Sequence, residues 1–173
     1  MKMHIIRRAE KNLLEIIRTG IESFKKKRNV EITSDIRTYL CAYLDEIESV
    51  TNRDIPAKQR ELIVCYVKKK RFFKLNMSEY KERKTRYKEK RVELRKEWES
   101  ETKQEWPKYE RDVLDGRGKI VRKKGQYYDV HHIIELSFDG PDVWYNLFPA
   151  KHPDEHQNGI HKKGSLASKI FCK

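Results

Sequence analysis

Cysteine is scarce in this chain of 173 residues, which contains only three. Cys41, Cys65 and Cys172 form no Cys-x-x-Cys pair, so a zinc ribbon is not indicated. Cys41 and Cys65 fall within apolar helical patterns, which predicts that both are buried free thiols. Free thiols of this kind suit a reducing compartment.

Long apolar runs are also absent. No apolar stretch reaches the roughly 18 residues that a membrane-spanning helix needs, so such a helix is excluded. The first residues, Met-Lys-Met-His-Ile-Ile-Arg-Arg, lack the uninterrupted apolar core of a secretory signal, and no lipidation motif is present. We therefore expect the protein to act in a cytoplasm, either that of its own cell or that of a target cell.

Acidic residues are too few to balance the basic ones. The chain has 40 Lys and Arg against 27 Asp and Glu, which gives a formal net charge of +13 and a pI near 9.6. Apolar residues make up 37% of the chain, which is lean but sufficient for a folded core. A basic excess of this size favours a polyanionic partner such as nucleic acid.

Apolar residues at helical spacing predict four helices in the first hundred residues. The predicted ranges are 4–27, a second helix that begins at Thr33 or Ser34, a third from Pro56 to about Phe73, and a fourth from Ser78 to Trp106. Residues 68–99 hold 14 basic and 6 acidic side chains. Such a run is either a solvated face with i,i+4 ion pairs or a surface that follows nucleic-acid phosphates.

The pattern changes after the turn at residues 115–118. Residues 119–123, 126–131 and 145–149 predict short strands, and Pro153 starts a short helix that Gly159 ends or distorts. The fold class is therefore predicted to be α+β. A basic helical region over residues 1–106 precedes a small module over residues 107–173.

Histidines are concentrated near the C-terminal end. Five of the six lie within the last 43 residues, at positions 131, 132, 152, 156 and 161. Imidazole is both a transition-metal ligand and a base near neutral pH. Because successive strand residues point to opposite sides, His131 and His132 can divide two tasks, one facing a metal and the other a water molecule.

The run Asp129-Val-His131-His132, followed by Gly140, Asn146-Leu147, His156 and Gly-Ile-His161, resembles the HNH endonucleases. This superfamily is also called ββα-metal or His-metal finger, and the likeness is to colicin, pyocin and polymorphic-toxin nuclease domains. The resemblance covers about residues 110–170 and implies a ββα-metal finger in the C-terminal module. It implies nothing about the preceding helices.

The resemblance also implies roles for individual residues. His131, His156 and His161 match the metal ligands, and His132 matches the general base. Asn146 matches the Asn that holds the loop so that the base stays oriented. Asp129 stands where the family often has an acidic residue that orients a histidine.

Two departures from the family pattern leave alternatives open. The closing histidines of the family are commonly spaced i,i+4, whereas His156 and His161 are spaced i,i+5; His152 with His156 is the alternative i,i+4 pair. No arginine directly precedes Asp129 as a phosphate clamp. Candidate substitutes for that clamp are Arg117, Lys123 and Lys124.

The predicted function is metal-dependent endonucleolytic cleavage of DNA, most simply double-stranded and with little sequence specificity. One divalent ion is expected, either Zn²⁺, Ni²⁺ or Co²⁺ by ligand type, or the Mg²⁺ or Mn²⁺ that often supports this family. The resemblance favours an antibacterial toxin or effector, which would need an acidic immunity protein as partner. The alternatives are an RNase, a structure-specific phage or defence nuclease, and a nucleic-acid-binding module with a structural zinc.

Overall fold

The computed structural model describes residues 31–171. The predicted helix over residues 4–27 and Cys172 lie outside this range. Within it, three helices are followed by two small antiparallel strand pairs and a short C-terminal helical segment. The α+β prediction is therefore confirmed.

Three helices form the first part of the described chain. Helix α1 is Thr33–Thr51, α2 is Ala57–Lys69 and α3 is Met77–Thr102. Helix α3 begins with a capping box in which the Asn76 side chain accepts from the Glu79 amide while the Glu79 side chain accepts from the Asn76 amide. This reciprocal pair satisfies two amides that the first helical turn leaves without partners.

Four short strands follow the helices. Strands β1 (Val113–Leu114) and β2 (Ile120–Arg122) form one antiparallel pair, and β3 (Asp129–His132) and β4 (Leu147–Ala150) form another. In the second pair His131 lies opposite Phe148. All four residues of β4 are buried, so this strand lies inside the fold.

The segment after β4 is helical but irregular. Residues His156–Ile160 form a π-helical turn, and Leu166–Phe171 form helix α4. Helix α1 contacts both. The loop between β3 and β4 contains two single 3₁₀ turns, Leu136–Phe138 and Trp144–Asn146.

One hydrophobic core joins the helices to the strands. It extends from Ile32 to Phe171 and includes Trp98 of α3 and Phe148 of β4, which contact each other edge to face. Within residues 31–171 the core thus takes in residues on both sides of residue 106, where the sequence suggested a boundary. The helices therefore pack directly against the part of the fold that contains the histidines.

Several helix ends differ from the sequence prediction. Helix α2 ends at Lys69, four residues before Phe73, and α3 ends at Thr102, because Lys103 adopts a left-handed conformation with φ of 58°. None of the helices in residues 31–171 is both long and apolar enough to cross a membrane.

The expectation that Cys41 and Cys65 are buried is wrong. Both cysteines are exposed. Cys41 directly follows the buried Leu40, and one residue of α-helix turns a side chain by about 100°, which takes it off the buried face.

Candidate metal centre

Strand β3 presents its two histidines to different surroundings. The side chain of His131 lies among His156, His161 and Tyr43, whereas His132 contacts Tyr87 of α3. Alternation along the strand separates adjacent side chains in this way. The side of β3 with His131 is called the metal face below, and the side with His132 is called the base face.

Three histidines meet on the metal face. The ring centroids of His131, His156 and His161 are 5.0 to 5.5 Å apart, and one nitrogen from each ring lies within 4.8 Å of the other two. The Nδ1 atoms of His131 and His156 are buried and have no hydrogen-bond partner. Buried nitrogens without partners are costly unless a ligand satisfies them, so this cluster fits a transition-metal ion.

The π-helical turn accounts for the spacing of the last two histidines. The His161 amide donates to the His156 carbonyl, and the Ile160 amide donates to the Glu155 carbonyl, so both bonds span five residues. A π turn places residues five apart above one another, as an α-helix does for residues four apart. The i,i+5 spacing that departs from the family pattern therefore still brings His156 and His161 to one site.

Gly159 lets this turn approach helix α1 closely. A Cβ atom at this position would lie 2.4 Å from Cγ1 of Val50. Only glycine fits here without displacing the Val50 side chain or the turn itself. Gly159 thus helps to position the two histidines on either side of it.

Two further residues contact the outer nitrogens of the cluster. The Tyr43 hydroxyl oxygen lies 2.8 Å from Nε2 of His131, and a Glu135 carboxylate oxygen lies 3.3 Å from Nε2 of His161. With Nε2 of His131 engaged by Tyr43, Nδ1 of that ring is left available for a metal. Carboxylates and other acceptors commonly fix metal-binding imidazoles in this manner.

Burial keeps the clustered imidazoles neutral. It lowers the pKa of His131 well below the ordinary value, and the neighbouring His156 and His161 lower it further. Burial, followed by the effect of His161, lowers the pKa of His156 to about 4. The pKa of His161 is also lowered by burial. Neutral imidazole is the form that binds a metal ion.

His132 on the base face is buried and has an unpaired nitrogen. Its Nε2 atom has no hydrogen-bond partner, and its ring lies 4.6 Å from that of Tyr87 in an edge-to-face arrangement. Burial, followed by the positive charge of Arg83, lowers the pKa of His132 to about 3. The ring is therefore neutral at pH 7, so one of its two nitrogens carries a lone pair.

Asn146 fixes the chain that follows His132. Its side-chain oxygen accepts from the Ile134 amide at 2.7 Å, and its amide nitrogen donates to the carbonyls of Ile134 and Pro141, both at 3.1 Å. Asn146 is fully buried. Through these bonds it touches no other candidate site residue, so it fixes only the position of the chain that follows His132.

A buried arginine from α3 secures the same loop. Arg83 donates to the Gly140 carbonyl and to the Asp142 carboxylate, and it forms an ion pair with Asp139. A Cβ atom at Gly140 would lie 1.9 Å from the Ile134 carbonyl oxygen, so this position requires glycine. Sequence reasoning missed Arg83, because it is one of many basic residues in α3 and nothing local distinguishes it.

Asp129 and His152 lie together at the edge of the metal face. Arg122 of β2 binds Asp129 through two hydrogen bonds, one of them 2.7 Å long. His152 Nδ1 lies 3.9 Å from the same carboxylate, and His152 is not part of the three-histidine cluster. Asp129 therefore contacts Arg122 rather than a clustered histidine.

None of the three suggested substitutes for a phosphate clamp lines the cleft that contains His156. Arg117 lies in the turn between β1 and β2, and Lys123 and Lys124 follow β2; all three are exposed. The cleft that does open beside His156 is lined by Arg91, Arg95 and Arg122 instead. Two of these arginines come from α3, which the sequence pattern marked only as generally basic.

Tyr43 and Glu135 were also missed by sequence reasoning. Tyr43 looked like an ordinary apolar position of α1, since nothing in the sequence links it to a histidine 88 residues later. Glu135 offered a signal, because it is an acidic residue in the apolar run Ile-Ile-Glu-Leu. Burial raises the pKa of Glu135 to about 7.

The chain is similar to a curated bacterial protein. It is 39% identical over 142 residues to the Bacillus subtilis (strain 168) protein named Toxin YxiD, an alignment that covers 82% of this chain and 24% of that protein. The chain thus spans about a quarter of the length of its relative. No protein-family model matches the chain, and no solved structure matches it.

Proposed function

We propose that the protein is a metal-dependent nuclease that hydrolyses phosphodiester bonds and acts as the toxic part of an antibacterial protein. The observation that carries the nuclease proposal is the arrangement around β3. Three neutral imidazoles cluster on one face, and a fourth neutral imidazole lies buried on the other. This division matches the two needs of phosphodiester hydrolysis, a Lewis acid and a base.

His131, His156 and His161 would hold one divalent ion. When bound, the ion would supply positive charge for the phosphate and for the leaving oxygen. Structural zinc sites usually have four protein ligands, whereas catalytic sites leave a position open. Within residues 31–171 the cluster has only three ligands, and His152 lies by Asp129 instead. The missing fourth ligand favours a catalytic ion over a structural one.

His132 would accept a proton from the attacking water through Nε2. Its depressed pKa keeps the ring neutral, and a bound phosphate would raise that pKa, because a nearby negative charge favours the protonated ring. Asn146 and Arg83 are positioning residues in this scheme. They hold the loop after His132 and do not exchange protons.

The toxin proposal rests on the likeness to Toxin YxiD over most of this chain. A nuclease released into a bacterium would be lethal, so its producer would need a partner that blocks the site. The net charge of +13 favours an acidic immunity protein for that purpose. DNA is the first substrate to be tested and RNA the second.

A cleavage assay tests the nuclease proposal. The full chain is incubated with supercoiled plasmid and with structured RNA, with Mg²⁺, Mn²⁺ or Zn²⁺ and with a chelator, beside His132→Ala. We expect metal-dependent cleavage of one substrate that is lost in the variant while its metal affinity stays unchanged. Undiminished cleavage by His132→Ala would refute its role as the base.

A growth assay tests the toxin proposal separately. The chain is expressed in bacterial cells from an inducible promoter, beside His132→Ala as an inactive control of the same charge at pH 7. We expect arrested growth with the native chain only. Equal growth with both, at equal protein levels, contradicts the toxin proposal.

A further inference from the structure

A cleft opens between α3 and the segment that leads into β3. It has a volume of about 620 Å³, and His156 of the metal face is one of its lining residues. We call it the arginine cleft and define it by its main lining residues, Tyr87, Arg91, Arg95, Trp106, Tyr127 and Tyr128. His156 is thus shared between the cleft and the three-histidine cluster.

Two arginines of the cleft have uncompensated charge. Arg91 and Arg95 lie one turn apart on α3, and within residues 31–171 neither forms an ion pair. Arg122, by contrast, is bound to Asp129. Arg91 and Arg95 are therefore the cleft residues whose charge is available to an anion.

The cleft also contains buried polar groups without partners. The Tyr87 hydroxyl and Nε of Arg95 are both buried and make no hydrogen bond. Since buried polar groups are normally satisfied, these atoms indicate a ligand that accepts hydrogen bonds at this place.

Aromatic rings in the cleft provide surfaces for a base in addition to a phosphate. The Arg95 guanidinium lies 3.5 Å from the centre of the Tyr127 ring, which gives a flat cationic surface. Tyr87, Trp106 and Tyr128 add further aromatic walls. Aromatic rings and stacked guanidinium groups are the surfaces on which proteins hold unstacked bases.

A concave aromatic site does not suit the outside of a duplex. Paired bases remain within their stack, and a protein that only follows the duplex meets phosphates and groove edges. A base that enters a cleft of this size has left the stack. The combination of free arginines, unpaired donors and aromatic walls therefore fits one nucleotide with its phosphate.

We propose that the arginine cleft binds an unpaired nucleotide of the substrate strand next to the phosphate that is cut, so that the preferred substrate is single-stranded or locally unpaired nucleic acid. This rests on the proposed nuclease function and sharpens it. It also changes the expectation of double-stranded DNA. Arg95 and Tyr127 are binding residues in this proposal, and Arg91 supports the neighbouring phosphate.

The test measures binding without cleavage. Full-length chain in chelator is titrated against a fluorescent strand of about ten nucleotides, as DNA and as RNA, and against the DNA duplex of the same sequence. Fluorescence anisotropy is recorded at high salt, where attraction to phosphates alone is weak. The variants are Arg95→Ala and Tyr127→Leu.

Two variants serve as matched controls. Lys96→Ala removes the same charge from an exposed position of α3 outside the cleft, and Tyr127→Phe keeps the ring but not the hydroxyl. Tyr127 is itself partly exposed, so its substitutions are compatible with folding, which thermal melting followed by circular dichroism checks.

We expect the native chain to bind the single strand more tightly than the duplex. Arg95→Ala and Tyr127→Leu should each weaken single-strand binding about tenfold, the scale of one lost stacking contact. The two controls should change it little. Tighter binding of the duplex, or equal losses for Arg95→Ala and Lys96→Ala, would overturn the proposal.

These results are separable from those of the cleavage assay. Strand-selective binding without any cleavage would refute the nuclease function and leave the cleft assignment in place. Cleavage together with duplex-selective binding would support the nuclease function and refute the cleft assignment.

Discussion

The two faces of strand β3 are built in opposite ways. On the metal face, His131 has Tyr43 of α1 at one nitrogen and two other imidazoles beside the second. On the base face, the nitrogen Nε2 of His132 has no partner, and α3 contributes only a ring edge and a nearby charge. The metal face is arranged to fix nitrogens in place, whereas the base face leaves one free to react.

This difference shows what the helices contribute. Tyr43 and Arg83, from two different helices, each act on one face of the same strand. The helices are therefore part of the site, although the resemblance to nuclease domains covers only the part after about residue 110. Variants that change one face at a time separate the contributions of the two faces.

The largest expected effect comes from exchanging the two adjacent histidines for alanine one at a time. His132→Ala should lower the cleavage rate by about 10²- to 10⁴-fold, the usual contribution of a general base, without changing metal affinity. His131→Ala should lower metal affinity and cleavage together. Isothermal titration with Zn²⁺ and a plasmid-nicking or RNA assay measure the two quantities. Loss of metal affinity in both variants would remove the distinction between the faces.

Tyr43→Phe should have the next largest effect, and only on the metal face. For Nδ1 of His131 to bind a metal, the ring proton must lie on Nε2, where it donates to the Tyr43 oxygen. Phenylalanine keeps the ring but leaves this buried N–H without an acceptor. Metal affinity should fall about 10- to 100-fold, as for other lost partners of metal-bound histidines.

Tyr39→Phe is the matched control for that change, because Tyr39 lies on the exposed side of the same helix. Its metal affinity should equal that of the native chain. If Tyr43→Phe also leaves metal affinity and its pH dependence unchanged, the Tyr43 contact serves packing alone.

A further effect is expected on acid stability without metal. In the unfolded chain the site histidines take up protons near their ordinary pKa of about 6.5. In the folded chain His132 and His156 do so only at a pKa of about 3 and about 4. The unfolded state therefore binds more protons between these values, and the free energy of unfolding falls as pH drops below about 6.5.

Glu135 changes the free energy of unfolding with pH in the opposite direction to the histidines. Burial raises its pKa to about 7, so its stabilising contribution is present below its ordinary pKa and is lost as pH rises through 7. Urea unfolding in chelator at several pH values measures the balance. His132→Ala should show a shallower loss of stability toward acid than the native chain. An equally steep loss in that variant would contradict the assigned burial of His132.

Local sequence patterns predicted much of this arrangement. Periodicity located the helices, and alternation along β3 separated His131 from His132. The pairing of His156 with His161 was predicted only by likeness, because an ideal α-helix sets them about 140° apart and the π turn is not visible in the sequence. Tyr43, Arg83 and Arg95 could not be located, since their roles come from packing across the chain rather than from their neighbours.

Binding of Co²⁺ is the most direct test of the three-histidine site, because its visible absorption reports the ligands of the ion. The full chain is titrated beside His131→Ala, His156→Ala, His161→Ala and His152→Ala. We expect one ion per chain, with its absorption lost or strongly changed in the first three variants and retained in His152→Ala. Retention in His161→Ala with loss in His152→Ala would contradict this site.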